Sequence, residues 1–168
     1  MGLSIFAFTK LQPLPADQRQ AVDDGEIDGV TFYDNLDFTG RAEGVNCALA
    51  YVEQEPFPVA GMSYGRYANW RNWLAQALGY PQATGGGYHP PMHIYGMLRD
   101  AAVGAPFIEL VYFSDCEGTI GPVVSAKLAK DFDDFAGKLE GDARQLHVYE
   151  QFRKGFHLAA DGGAVKFT

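Results

Sequence analysis

The spacing of apolar residues changes several times along the chain, and each change marks an element. Residues 2–8 alternate weakly and are rich in Ile, Leu and Phe, which predicts a first strand. Pro13 and Pro15 end it, and residues 16–29 read as an acidic surface loop. Residues 30–33 and 47–52 have the β-branched and aromatic content of two short strands, with Gly40 and Gly44 in the polar stretch between them. From Ser63 the period becomes helical. Tyr67, Trp70, Leu74, Ala77 and Leu78 recur at spacings of three and four, with Ser63 as N-cap and Gly79 as the stop. A loop over 81–91 and a short helix over 93–101 follow. Residues 107–113 form the most apolar short run and predict the best strand, with a turn over 114–121. Pro122 suits the first position of a helix whose apolar face is Val124, Leu128, Phe132, Phe135 and Leu139. Asp142 caps another helix, with Leu146, Tyr149, Phe152 and Phe156 turned inward, and residues 164–167 make a last strand. There is no internal repeat or linker. The order predicts one compact α+β domain over 1–168, with a mixed or antiparallel sheet and three to four packed helices.

Composition narrows the class. With 47% hydrophobic and 20% charged residues the chain can bury a core, which excludes intrinsic disorder. A net charge of −8 argues against a surface that grips nucleic acid or anionic lipid as a whole. No apolar run reaches the ~18 residues of a membrane span. The first residues lack the basic start of a signal peptide, and Phe6 stands where a myristoylation signal wants Ser or Thr. A cytoplasmic protein is expected, with Cys47 and Cys116 reduced.

The distribution of charge says more than its sum. Residues 1–55 hold ten acids and three bases, and residues 100–168 eleven acids and seven bases. Residues 56–99 hold no acid, but contain Arg66, Arg71 and Arg99 together with His89 and His93. Burial would explain an acid-free stretch; so would a pocket for a small anion inside a protein that repels long polyanions.

Two stretches carry candidate chemistry. In the first, Gly61, Ser63 and Gly65 open the tryptophan helix, whose leading N–H groups lack internal partners and suit an oxyanion. Arg66 lies in its first turn, and Arg71 follows Tyr67 by four residues, so guanidinium and phenol share a face. The plain alternative is a glycine-containing loop with a solvated Arg66. In the second, Ser114-Asp115-Cys116-Glu117 leads toward the Pro122 helix. Asp115 and Glu117, as carboxylates near a helix start, would accept hydrogen bonds from ribose hydroxyls or an amine; simple capping is the alternative. Cys116 lacks a neighbouring histidine and is flanked by acids, so packing competes with nucleophilic catalysis. Tyr64, Tyr67, Tyr80, Tyr88 and Tyr95 cluster in the acid-free window, where rings beside arginines suit a flat ligand and also suit a core. His89 and His93 have the spacing of a helical metal pair, but Pro90 and Pro91 between them oppose a helix there.

The stretches Ala-Gly-Met-Ser-Tyr-Gly-Arg-Tyr-Ala-Asn-Trp-Arg (60–71) and Tyr-Phe-Ser-Asp-Cys-Glu-Gly-Thr-Ile-Gly-Pro-Val-Val-Ser-Ala-Lys-Leu-Ala-Lys-Asp-Phe (112–132) resemble an uncharacterised family of small phage- and prophage-encoded proteins. The resemblance implies a genomic setting in which small accessory proteins counter host defence, and it transfers no catalytic residue. The expected function is sequestration of a small anionic nucleotide-like ligand, such as a host immune signal, in the host cytoplasm. The loops 61–67 and 114–121 are expected to line one common pocket, and the expected ligand-binding residues are Ser63, Tyr64, Arg66, Tyr67, Arg71, Tyr88, His89, Ser114, Asp115 and Glu117. No cofactor, metal, catalytic residue, nucleic acid or membrane enters this reading, and a homo-oligomer is compatible with it. Two alternatives stay open: an inhibitor docking on a host protein, and a small hydrolase or transferase acting on a similar molecule.

Overall fold

A computed structural model describes residues 2–83, 91–96, 104–113 and 117–168. Its elements are β1 (Leu3–Phe8), α1 (Arg19–Asp23), β2 (Val30–Thr31), β3 (Ala50–Tyr51), β4 (Phe57–Met62), α2 (Tyr64–Ala77), α3 (Ile108–Val111), β5 (Gly118–Ile120), α4 (Pro122–Asp134), α5 (Ala143–Ala160) and β6 (Ala164–Phe167). The fold is α+β. Four strands form an antiparallel sheet in the order β4-β1-β6-β5, and β2 and β3 form a separate two-stranded ribbon.

Alternation along β1 is answered by two different coverings. Leu3, Ile5 and Ala7 face the main core, which they share with Val59, Ile120, Val165, Phe167 and the buried stripes of α2, α4 and α5. Phe8 faces the other way, into a smaller cluster with Phe32, Tyr51 and Ala164, against which Phe6 also packs. The acidic N-terminal third is therefore a cover for the sheet's second face. Lys166 lies on that side, its ammonium 5.6 Å from the centre of the Tyr33 ring, and burial holds its pKa below the usual lysine range.

The C-terminal helices follow the expected chemistry. Pro122 opens α4, and Asp142 caps α5 with a capping box completed by Gln145. Gly155 lets α5 approach the sheet, because a Cβ there would stand 2.5 Å from Cγ2 of Val59. Asp133 ties the two helices together. It accepts from His157 (3.0 Å) and Arg153 (2.8 Å), and these two bonds hold its carboxyl below the usual range.

Several elements differ from the pattern. The expected strands at 30–33 and 47–52 shrink to two residues each, and the loop 16–29 contains α1. Residues 57–62 and 118–120, not expected as strands, are the two edges of the main sheet. α4 ends at Asp134, short of Leu139. Leu146 is 38% exposed because the buried stripe of α5 (Tyr149, Phe152, Phe156, Ala159) begins one turn later. The expected helix over 93–101 appears as a 3-10 turn at His93–Tyr95, and its remainder from residue 97 lies outside the described residues.

The largest departure is at 107–113, which is not a strand. Phe107 adopts left-handed backbone angles (φ +58°) and starts the single helical turn α3. Side chains supply the hydrogen bonds a sheet would have given. Lys127 donates to the Ala105 carbonyl, Tyr80 to Pro106, Arg41 to Glu109, Arg71 to Val111 and Tyr67 to Phe113. Asp131 accepts from the Phe107 N–H at 2.7 Å. Buried backbone groups must be paired, and here long polar side chains from two helices and two loops do the pairing.

Candidate functional site

Helix geometry decides which residues of the first motif can act together. Arg66 and Arg71 are five residues apart, a rotation of roughly 140° at 3.6 residues per turn, so they leave α2 on different sides. Arg71 turns inward and is 5% exposed. Its Nη1 donates to the Val111 carbonyl at 3.0 Å, and its guanidinium lies 4.7 Å from the centre of the Tyr67 ring. Guanidinium and phenol do share a face, but that face is the core. Arg66 is exposed and turns into a groove of about 580 Å³ between α2, β4 and α5.

Each wall of the groove has its own character. Five consecutive residues of β4, Pro58 to Met62, line it. Side chains on a strand alternate between faces, so an unbroken run means that the strand's main chain forms the lining surface. β4 pairs only with β1 and is an edge of the sheet. From α2 come Arg66, Asn69 and Trp70, and from the first turns of α5 come Asp142, Arg144, Gln145, His147, Val148 and Gln151. Two indoles brace the helices. Trp70 donates to the Gln145 carbonyl (3.1 Å) and Trp73 to the Glu140 carbonyl (3.0 Å).

The electrostatics are one-sided. Asp142 is the groove's carboxylate, and it accepts from the N–H groups of Arg144 (2.9 Å) and Gln145 (2.8 Å) as the cap of α5. Opposing it are Arg66, Arg144 and the imidazole of His147. Among the described arginines, Arg19, Arg41, Arg71 and Arg153 donate to protein acceptors. Arg66 and Arg144 make no side-chain hydrogen bond or ion pair among the described residues, and both line this groove. A second hollow, lined by Asp34, Glu43 and Cys47 among others, carries the opposite sign. Burial, and then Asp34, raise the Cys47 thiol pKa, which leaves it a poor nucleophile.

The remaining expected site residues fall in different places. Ser63 is the N-cap of α2, its Oγ accepting from the Arg66 N–H. Tyr64 is half-buried against the core. Tyr67 is fully buried, with its hydroxyl on the Phe113 carbonyl at 3.3 Å. Tyr80 is buried too, and burial pushes its phenol pKa up to about 12. Tyr64, Tyr67 and Tyr80 thus pack in or against the core, and none of the three lines the groove. His93 uses its Nδ1 on the Tyr80 carbonyl at 2.7 Å. Glu117 is exposed at the start of β5, where its carbonyl accepts from Asn35. β4 and β5 are opposite edges of the sheet, so Glu117 stands about three strand spacings, roughly 14 Å, from the groove wall. Tyr88, His89, Ser114, Asp115 and Cys116 lie outside the described residues.

Two loops meeting in one pocket is the sequence expectation. Among the described residues, α2 instead meets the lead-in to the second motif through its buried face and presents Arg66 to α5. Sequence reasoning missed Asn69, Arg144, His147 and Gln151. The available signal was the polar stripe 144, 147, 151 at helical spacing, which reads as an ordinary solvated face until α2 is placed opposite it. No protein family, curated protein or solved structure matches the chain.

Gly61 provides a control for the groove. A Cβ built there meets nothing within 4 Å, and its backbone is not in the left-handed region. Gly61→Leu should therefore shift stability by no more than about 0.5 kcal/mol. Gly61 pairs with Ser4, on the sheet face opposite Leu3 and Ile5, so the new side chain points away from α2 and α5 and anion binding should stay that of the parent. Urea denaturation and calorimetric titration on the same variant check both halves.

Proposed function

We propose that the protein binds and sequesters a small anionic, nucleotide-like molecule in the groove between α2, β4 and α5. The observation that supports this most is the pair of unengaged guanidinia, Arg66 and Arg144, lining one groove of an otherwise acidic protein. Charge-assisted hydrogen bonds from arginine suit phosphate and carboxylate, and the acidic remainder disfavours long polyanions. Asn69 and Gln151 add neutral donors and acceptors, and the exposed main chain of β4 offers the alternating N–H and C=O groups that read the edge of a planar base. Val59, Met62 and Val148 give the groove an apolar lining. The groove's carboxylate is engaged as a helix cap, an arrangement better suited to holding a ligand than to moving its protons. In the phage setting implied by the motif resemblance, such binding would withhold a nucleotide-derived signal from host defence in the host cytoplasm.

Calorimetric titration with nucleoside monophosphates tests the reading. The double variant Arg66→Gln, Arg144→Gln is expected to lose about tenfold or more in affinity, because a hydrogen bond to a charged group contributes about 1.5–3 kcal/mol. Its melting temperature should stay that of the parent, since both residues are exposed. Bound nucleotide should be recovered chemically intact after denaturation, as judged by mass spectrometry. Retained affinity in the double variant would refute the groove, and a cleaved product would refute sequestration.

A further inference from the structure

Resting on that groove reading, we infer that the ligand carries two separate anionic groups, one held by Arg66 on the α2 wall and the other by Arg144 on the α5 wall. The register of the two helices carries the inference. Trp70 reaches Gln145 and Trp73 reaches Glu140, so α2 and the chain entering α5 run in opposite senses across the groove. Moving four residues back along α2 and four forward along α5 sets Arg66 level with Tyr149. Arg144 is five residues earlier, an offset of roughly 7.5 Å along the axis at 1.5 Å per residue. The two arginines stand on different walls, which adds a lateral separation to that offset. His147 falls between the two levels on the α5 side and also lines the groove.

Two guanidinia placed this way, on different walls and at different heights, form two stations rather than one clamp. Each is free of protein carboxylates among the described residues, and Asp142 is occupied by the backbone of α5. A ligand with a single phosphate engages one station. A ligand whose phosphates are separated by a sugar engages both, with the uncharged middle facing Trp70, Val148 and the β4 main chain. The ligand class is thus a nucleoside bearing phosphates at two positions, or a short linked nucleotide.

Adenosine 5′-monophosphate and adenosine 3′,5′-bisphosphate share a base and a sugar, so the ratio of their affinities cancels base preference and isolates the second anion. At equal ionic strength the bisphosphate is expected to bind about tenfold tighter or better, the worth of one further charged hydrogen bond. Arg66→Gln and Arg144→Gln should each bring the bisphosphate down to the level of the monophosphate, while the monophosphate itself loses much less. Equal affinity of the two nucleotides in the parent protein would overturn the inference and leave the groove reading standing. So would single variants that weaken both nucleotides by the same factor, because both arginines would then hold one phosphate. Absence of binding by either nucleotide, or binding indifferent to both arginines, would remove the groove reading and the inference together.

Discussion

Phe107→Ala is expected to remove about 3–5 kcal/mol of stability, the range for deleting a buried aromatic ring. Phe107→Gly should remove about 1 kcal/mol less, although it deletes one carbon more. The ring is fully buried, edge-on to Phe132 with centroids 4.7 Å apart, and within 5.8 Å of Phe135 and 6.2 Å of Tyr149. Its loss opens a cavity where α3 meets α4 and α5. The backbone tells in the other direction. At φ +58° any side chain crowds its own carbonyl, which costs roughly 1–2 kcal/mol, and glycine escapes that strain. The inverted order, glycine above alanine, is the signature to look for in urea denaturation. Alanine equal to or above glycine would mean that the left-handed turn at Phe107 is not a stable feature of the fold.

Arg71→Ala should cost about 2–4 kcal/mol, whereas Arg66→Ala on the same helix should cost less than about 0.5 kcal/mol. Charge and propensity alone rank the two alike. Burial separates them. Removing Arg71 deletes a charged hydrogen bond, orphans the Val111 carbonyl at the end of α3 and uncovers the Tyr67 ring. Some of this is offset because Arg71 is a buried cation whose Nε finds no acceptor among the described residues, so the substitution also relieves a desolvated charge. Arg71→Lys keeps the charge but not the flat guanidinium over the phenol, and should fall between the two. Thermal or urea unfolding of the three variants gives the ranking. A near-neutral Arg71→Ala would show that α3 is held by its other donors and that Arg71 is dispensable to the fold.

The residues that were easy to read in sequence are those whose signal is local. Ser63 and Asp142 cap helices because a short oxygen side chain sits three residues before a free N–H, and that needs no tertiary context. The apolar stripe of α4 and that of α5 from Tyr149 onward are visible at helical spacing for the same reason. Residues 107–113 misled because a short apolar run fits a buried strand and a buried helical turn equally well. What decides between them is the set of donors at positions 41, 67, 71, 80 and 127, all distant in sequence. The edges of the sheet were hidden for a related reason. Pro58 and Gly61 weaken the strand signal of β4, yet an outermost strand tolerates both. Half of the groove was legible in Arg66. The other half, Arg144 and His147, acquires meaning only when α5 is brought opposite α2 by Trp70 and Trp73.

Those two indoles have an optical consequence. The chain contains two tryptophans, and both stand between the same pair of helices. Trp70 lines the groove while stacking on Phe152 at 4.7 Å, and Trp73 reports on the entry to α5. All tryptophan emission of the native protein therefore originates at the groove wall or from the ring beside it, whose centre is 6.1 Å from that of Trp70, with no distant tryptophan to dilute it. Occupancy of the groove, spreading of its walls and detachment of α5 each change the surroundings of a dye the sequence already carries. The unlabelled protein is its own titration indicator.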